Sequence, residues 1–113
     1  MKIVYSCYGG AHSSPVAAAI HLGLLPPGEV PTATQLMKIP YYERVTAQLR
    51  GQLLFCGEDN FGHQVYVLGR GSASLEMMEK AILAGYRLGG GRKEDFIFID
   101  TLPYVNSYMR LGG

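Results

Sequence analysis

The stretch that most restricts the fold is IVYSCYGGAHSSPVAAAI, residues 3–20, in which an apolar run breaks at Cys-Tyr-Gly-Gly and resumes as an alanine-rich segment. The apolar run predicts a short strand that ends near Ser6, and Ser13 or Ser14 followed by Pro15 predicts a capped helix start. A strand that leads through a glycine turn into a helix is a typical opening of an α/β domain. We therefore expect the first strand to lie inside the sheet, with Cys7 at its carboxyl end.

Three further strands are predicted in the second half of the chain. The segments QLLFC and VYVLG are apolar, and the intervening GEDNFGHQ is rich in turn residues and too short for a helical crossover, which predicts an antiparallel hairpin. The run FIFID, residues 96–100, is typical of a central strand covered on both faces. The sheet is therefore predicted to be mixed, with about four strands.

The helices follow from periodicity and capping signals. Thr32 and Gln35 have the spacing of a capping box, and Ser72 or Ser74 precedes a longer segment with apolar residues at a helical spacing, namely Leu75, Met78, Ile82 and Tyr86. The predicted fold is a three-layer α/β sandwich in which flanking helices cover a mixed sheet of central parallel strands plus a hairpin. A chain of 113 residues has the length of one domain, so we assign residues 1–113 to a single α/β domain.

Composition argues against several classes of protein. The formal net charge is +1 and the charged residues are scattered, so the chain has no basic patch of the kind that binds nucleic acid. It contains no long apolar segment and no secretion signal, which predicts a cytoplasmic protein without a membrane partner. Cys7 and Cys56 are far apart in the sequence, and in a reducing compartment both are expected to be free thiols.

The loop that follows the first strand has the residue types of an anion-binding site. Successive backbone N–H groups ahead of a helix N-terminus form a cradle with partial positive charge. The same field is expected to lower the pKa of Cys7, whose thiolate is the nucleophilic form. Hydroxyl groups in the loop can donate to the sulfur or to a bound oxyanion. The predicted anion-binding residues of the loop are Gly9, Gly10, Ala11, Ser13 and Ser14.

Three further residues are candidates for the same chemistry. His12 lies within the loop, and Asp100 ends the last predicted strand, so either could supply a proton. Arg70 lies in a second glycine-rich turn, GRGSAS, between a strand and a helix, where it could reach an anion. An ordinary turn with a solvated arginine is the alternative interpretation of that segment.

The segment CYGGAHSSPVAAAI resembles the phosphate-binding loop of low-molecular-weight protein tyrosine phosphatases, which has the pattern Cys-x-x-x-x-x-Arg followed by Ser-Pro and a helix of small residues. Matching positions are Cys7, Gly9, Ser14, Pro15 and Ala17, whereas Ser13 occupies the arginine position. The resemblance implies Cys7 as nucleophile and an aspartate followed by proline as general acid. Asp100 in DTLPY is the nearest candidate for that acid.

The same loop is also similar to the cysteine loop of phosphotransferase system IIB subunits of the cellobiose type, which is rich in glycine and hydroxyl residues and lacks arginine. Cys7, Gly10, Ser13 and Ser14 fit that pattern, which implies a cysteine that is phosphorylated and passes on its phosphoryl group. Both resemblances cover only the first part of the chain. Taken whole, the chain resembles a family of small uncharacterised bacterial proteins that share YGGAHSS, AAAIHLG and VYVLGRG.

Metal-ligand residues do not occur at the paired spacings that indicate a metal site, so we predict neither a metal nor a cofactor. The residue types favour cysteine-dependent phosphoryl-transfer or hydrolase chemistry on a small phosphorylated or oxyanion ligand. The alternative is a noncatalytic module that binds a phosphorylated ligand or partner in the same loop. Four tyrosines expected to be exposed could line a substrate rim or a homodimer interface, namely Tyr41, Tyr42, Tyr104 and Tyr108.

Overall fold

The computed structural model describes residues 1–101 of the chain. It begins with the strand Lys2–Cys7 (β1), in which Ile3, Val4, Ser6 and Cys7 are buried. The elements that follow are, in chain order, the helices Ser13–His21 (α1) and Ala33–Lys38 (α2), the strands Leu54–Glu58 (β2) and Gln64–Gly69 (β3), the helix Leu75–Leu88 (α3) and the strand Phe96–Asp100 (β4), with short 3₁₀ turns at Ala47–Leu49 and Lys93–Asp95.

The four strands form one mixed sheet in the order β2-β3-β1-β4. β1 is parallel to both of its neighbours, β3 and β4, whereas β2 and β3 form an antiparallel hairpin. The predicted mixed sheet, its hairpin and the internal position of β1 are therefore confirmed.

Helices cover both faces of the sheet. Ala18 of α1 packs with Val65 and Val67, so α1 covers the face to which these two side chains point. Tyr86 of α3 makes an edge-to-face contact with Phe96, with ring centroids 4.9 Å apart. Ile97 is in register with Ile3 and Val65, and Phe96, one residue earlier, therefore points to the opposite face. This arrangement of helix, sheet and helix is the predicted α/β architecture.

Two local predictions about helix ends are confirmed. Thr32 and Gln35 form the capping box, in which the Thr32 hydroxyl accepts from the Gln35 N–H and the Gln35 side chain accepts from the Thr32 N–H. Ser74 caps α3 by accepting a hydrogen bond from the N–H of Met77. Both caps satisfy backbone donors that the first turn of a helix leaves unpaired.

Two other predictions are wrong. The run FIFID forms β4, which among residues 1–101 lies at the edge of the sheet and not at its centre, and Ile97 is 43% exposed. Helix α3 contacts one face of β4 through Tyr86, and no further strand among residues 1–101 pairs with it, so a continuous apolar run does not establish a central position. Tyr41 and Tyr42 are half-buried against apolar clusters and not fully exposed, while Tyr104 and Tyr108 lie outside the described residues.

A hydrogen-bonded chain joins β1, α1 and the β2–β3 turn at the end of the sheet where the parallel strands begin. The Asp59 carboxylate accepts from His21 Nε2 at 2.7 Å, which leaves Nδ1 of a neutral imidazole to accept from the Tyr5 hydroxyl at 2.6 Å. Asp59 Oδ1 also accepts the backbone N–H groups of Phe61 and His63, each at 2.9 Å. These hydrogen bonds attach the C-terminal end of α1 to the β2–β3 hairpin.

No helix among residues 1–101 combines the length and the apolar character that crossing a membrane requires.

Candidate functional site

The carboxyl ends of β1 and β3 lie side by side, with Cys7 in register with Gly69. The chain leaves β1 toward α1 on one face of the sheet and leaves β3 toward α3 on the other. The two connections therefore leave these neighbouring strands toward opposite faces of the sheet. In open α/β sheets, ligands bind at this kind of topological switch point, beyond the carboxyl ends of the strands.

The two glycine turns at this point are in direct contact. A Cβ placed on Gly69 would lie 2.5 Å from the carbonyl oxygen of Gly9, and one placed on Gly10 would lie 2.8 Å from the backbone nitrogen of Gly69. Gly10 also has a φ of +70°, a left-handed conformation that side chains rarely adopt. The backbone N–H groups of Arg70 and Gly71 donate to the carbonyls of Cys7 and Tyr8 at 3.1 and 2.7 Å. The loop thus keeps its shape through backbone contacts that only glycine allows.

The thiol of Cys7 lies at the base of this loop, and the residue is only 5% exposed. Its Sγ accepts a hydrogen bond from the Gly10 N–H at 3.1 Å and lies 3.1 Å from Ser14 Oγ. Burial acts to raise the pKa of Cys7, but hydrogen bonds from the side chain and backbone of Ser14, the side chain of Ser13 and the backbone of Gly10 outweigh it and lower the pKa. The donors of the loop therefore stabilise a thiolate.

The two serines do not cap α1 as the sequence predicted. His12 occupies the N-cap position without a side-chain hydrogen bond, and Ser13 and Ser14 are the first two helical residues. Their hydroxyls make other hydrogen bonds: Ser14 Oγ lies 3.1 Å from Cys7 Sγ, and Ser13 Oγ lies 2.8 Å from Thr101 Oγ1. The cap prediction is wrong because it assumed that one of these hydroxyls accepts a hydrogen bond from a backbone N–H group in the first turn of α1.

Thr101, which sequence reasoning did not select, connects the loop to the end of β4. Its backbone N–H and its hydroxyl both donate to the carbonyl of Ser6, at 2.8 and 2.9 Å. Ser13 has a single hydroxyl proton, which it can give either to Thr101 Oγ1 or to the Cys7 thiolate. The sequence could have indicated Thr101, because it directly follows the last predicted strand and so lies at the same end of the sheet as the cysteine loop.

His12 lies on the solvent side of the loop. Its side chain is 65% exposed, its Nε2 is 3.6 Å from Glu43 Oε1, and its ring packs edge-to-face against Tyr42 with centroids 5.6 Å apart. The N–H of Glu43 also donates to the carbonyl of Ala11 at 2.8 Å. His12 is therefore positioned at the rim of the loop, where a ligand arriving from solvent can contact it.

Arg70 and Asp100 are bound to each other. The guanidinium donates to both carboxylate oxygens, at 3.1 and 3.2 Å, and the Arg70 side chain is only 10% exposed. Asp100 is in register with Ser6, so its side chain leaves the sheet on the face opposite to that of Cys7. The structure thus brings Cys7, Gly9, Gly10, Ser13 and Ser14 together, while Asp100 and Cys7 lie on different faces.

Among residues 1–101, no three His, Cys, Asp or Glu side chains lie close enough together to hold a metal ion. Cys56 is a free, half-buried thiol on β2, and burial raises its pKa to about 12 even though a hydrogen bond from the Val67 backbone acts to lower it. Only one of the two thiols is therefore surrounded by groups that favour its ionised form.

The chain belongs to a family whose model is described as protein of unknown function (DUF3189), and the match covers residues 2–113. Comparison with curated proteins and with solved structures gives no match.

Proposed function

We propose that this member of the DUF3189 family binds a phosphate or similar oxyanion in the loop Cys7–Ser14 and uses Cys7 as a nucleophile on it. The observation that carries the proposal is the convergence of hydrogen-bond donors from Gly10, Ser13 and Ser14 on a single sulfur, with a lowered pKa of Cys7 as the result. Donors that stabilise a thiolate are also suited to the oxygens of a bound anion, which carry charge of the same sign.

The chemistry is a displacement at phosphorus. The Cys7 sulfur forms a bond to the phosphorus of a phosphate ester as the bond from phosphorus to the leaving oxygen breaks, and that oxygen takes a proton. His12 is the better placed proton donor, because Asp100 is held by Arg70 on the opposite face of the sheet. Backbone N–H groups of the loop stabilise the oxygens of the transferring group. The phosphocysteine then gives its phosphoryl group to water or to another acceptor.

The alternative is a noncatalytic module in which the same loop holds a phosphorylated ligand. Two observations favour it: Cys7 is 5% exposed, and Ser13 stands where the resembled phosphatases have arginine. Because Cys7 is buried at the base of the loop, its thiol attacks slowly any ligand that stays at the loop surface. In this version Cys7 organises the loop and no phosphorylated cysteine forms.

The deciding experiment uses two assays, and it also measures the phosphate affinity of wild type and Cys7→Ser. The first is the pH dependence of Cys7 alkylation, followed by mass spectrometry in a Cys56→Ala background with and without phosphate. The second is release of phosphate from an aryl phosphate monoester. We expect alkylation to begin below the pH of an ordinary thiol, phosphate to protect Cys7, and turnover to disappear in Cys7→Ser.

A reactive, phosphate-protected thiol with turnover supports the nucleophile. Equal phosphate affinity in wild type and Cys7→Ser, with no turnover by either, would establish the binding module instead. A thiol that reacts slowly and does not respond to phosphate would overturn both versions and leave Cys7 with a structural role.

A further inference from the structure

Arg50 comes to the cysteine loop from a different part of the chain. It follows the 3₁₀ turn Ala47–Leu49, and the next residue, Gly51, donates its backbone N–H to the carbonyl of Gly69 at 2.7 Å. Gly69 is in register with Cys7 and in contact with Gly9. The backbone at Arg50 is therefore attached to the same glycine turn that supports the loop.

The Arg50 guanidinium lies over the loop. Its central carbon is 5.2 Å from the centroid of the Tyr8 ring, and Nη2 lies 3.9 Å from the point where a side chain at Gly9 would begin. Tyr8 is 51% exposed, so the ring offers a support at the loop surface and not in the core. A guanidinium that packs its face on an aromatic ring keeps the N–H groups at its edge available for an oxyanion.

Arg70, a second arginine near this end of the sheet, is already engaged. Arg70 uses both terminal nitrogens on Asp100, whereas no carboxylate within residues 1–101 lies within ion-pair distance of Arg50. The loop itself supplies only backbone N–H groups and hydroxyls, which carry partial charges. A doubly charged phosphate is bound more strongly by a full positive charge with a forked donor geometry.

We infer that Arg50, stacked on Tyr8, binds the outer oxygens of a phosphate seated in the Cys7–Ser14 loop and supplies the cation that the loop and Arg70 do not. The inference rests on the proposed function and adds to it a residue, and with it a preference for a dianionic ligand. Tyr8 acts as a positioning residue for the guanidinium.

In the test, the full chain is titrated with inorganic phosphate, and binding is monitored through the backbone amide resonances of Gly9 and Gly10. We expect Arg50→Gln to raise the dissociation constant by about tenfold or more, which is the value of a lost charge-assisted contact. Arg50→Lys should fall between wild type and Arg50→Gln, since it keeps the charge and loses the fork. The matched control is Arg92→Gln, which removes an exposed arginine that precedes β4 at the other end of the sheet.

The outcomes separate the two proposals. Equal dissociation constants in wild type and Arg50→Gln, with the loop amides still responding, would overturn the role of Arg50 and leave the anion loop intact. If Arg50→Gln and Arg92→Gln raise the phosphate dissociation constant equally, the effect comes from the net charge of the protein, and this result would also overturn the role of Arg50. Loop amides of the wild type that do not respond to phosphate would overturn the anion loop together with this inference. Loss of catalysis alone bears only on Cys7 as nucleophile.

Discussion

At the scale of single residues, the two cysteines show that burial alone does not decide whether a thiol ionises. Cys56 is half-buried, its thiol faces the carbonyl of Leu54 at 3.7 Å, and its pKa is raised to about 12 by burial. Cys7 is shielded too, but the donors around it reverse the effect of burial and lower its pKa. The difference lies in the number of donors, since the single backbone donor from Val67 does not offset the burial of Cys56, whereas the donors from Gly10, Ser13 and Ser14 offset the burial of Cys7.

Ser14→Ala should raise the pKa of Cys7, because it removes the side-chain hydrogen bond that contributes most to lowering it while burial still acts to raise it. The measurement is the pH at which the alkylation rate of Cys7 is half-maximal, in a Cys56→Ala background. Ser13→Ala is the matched comparison and should raise the pKa less, since the Ser13 hydroxyl also serves Thr101. An unchanged profile in Ser14→Ala would mean that this hydroxyl does not support the thiolate.

Residue identity predicted which residues come together at the candidate site, in part. A cysteine at a strand end, followed by glycines and hydroxyls, was enough to select Cys7, Gly10, Ser13 and Ser14, which the structure brings together. Thr101 and Arg50 were missed because their contacts with the loop depend on strand order and on the path of a connecting segment. Sequence spacing carries no information about which distant segment will lie beside a loop.

At the scale of elements, the two glycine turns work as one unit. The turn after β1 and the turn after β3 approach so closely that backbone atoms meet where side chains would normally begin. Hydrogen bonds from Arg70 and Gly71 to the backbone of Cys7 and Tyr8 connect the same two turns. Any shift of β3 relative to β1 would therefore change the shape of the Cys7–Ser14 loop.

Gly69→Ala should destabilise the fold by about 1–3 kcal/mol, because its Cβ would overlap the backbone of Gly9, which cannot move aside as a flexible side chain can. Gly85→Ala is the control within α3, where nothing lies within 4 Å of the added methyl, and it should stabilise by about 0.5–1 kcal/mol. Urea unfolding followed by circular dichroism measures both changes. A Gly69→Ala variant as stable as wild type would show that the two turns can separate without cost.

Element type was predictable from the sequence, whereas element position was only partly so. The hairpin, the capping box and α3 depend on local signals, and all three are confirmed. The edge position of β4 and the engagement of the Ser13 hydroxyl depend on partners elsewhere in the chain. These failures share one physical cause, which is that tertiary contacts decided between local alternatives of similar free energy.

At the scale of the whole molecule, the two ends of the sheet carry different kinds of polar group. Among residues 1–101, hydrogen-bond donors and no carboxylate contact the Cys7 sulfur at one end, and the opposite end holds the hydrogen-bonded residues Tyr5, His21 and Asp59. Helix α1 spans both, since Ser14 contacts Cys7 near its start and His21 contacts Asp59 at its end. Helix α1 therefore connects the Cys7–Ser14 loop with a titratable group at the far end of the sheet.

This coupling predicts a loss of stability in acid. Burial acts to raise the pKa of Asp59, but the hydrogen bond from His21, the backbone bonds from His63 and Phe61 and the charge of His63 bring the pKa down to about 2, from an ordinary value of 3.8. A carboxyl whose pKa is lower in the folded state stabilises the fold above its unfolded pKa, and this contribution is lost as the pH falls from 3.8 toward about 2.

Asp59→Asn isolates the charge, because the asparagine oxygen can still accept the N–H groups of Phe61 and His63 while the carboxylate that faces His21 is gone. We expect Asp59→Asn to have a lower urea midpoint than wild type at neutral pH. As the pH falls from 3.8 toward about 2, the variant should lose less further stability than wild type. Glu58→Gln removes the neighbouring exposed carboxylate and should follow the wild-type curve. If Asp59→Asn and wild type lose stability in parallel as the pH falls, the acid-sensitive contact lies elsewhere and the charge of Asp59 does not hold the C-terminal end of α1.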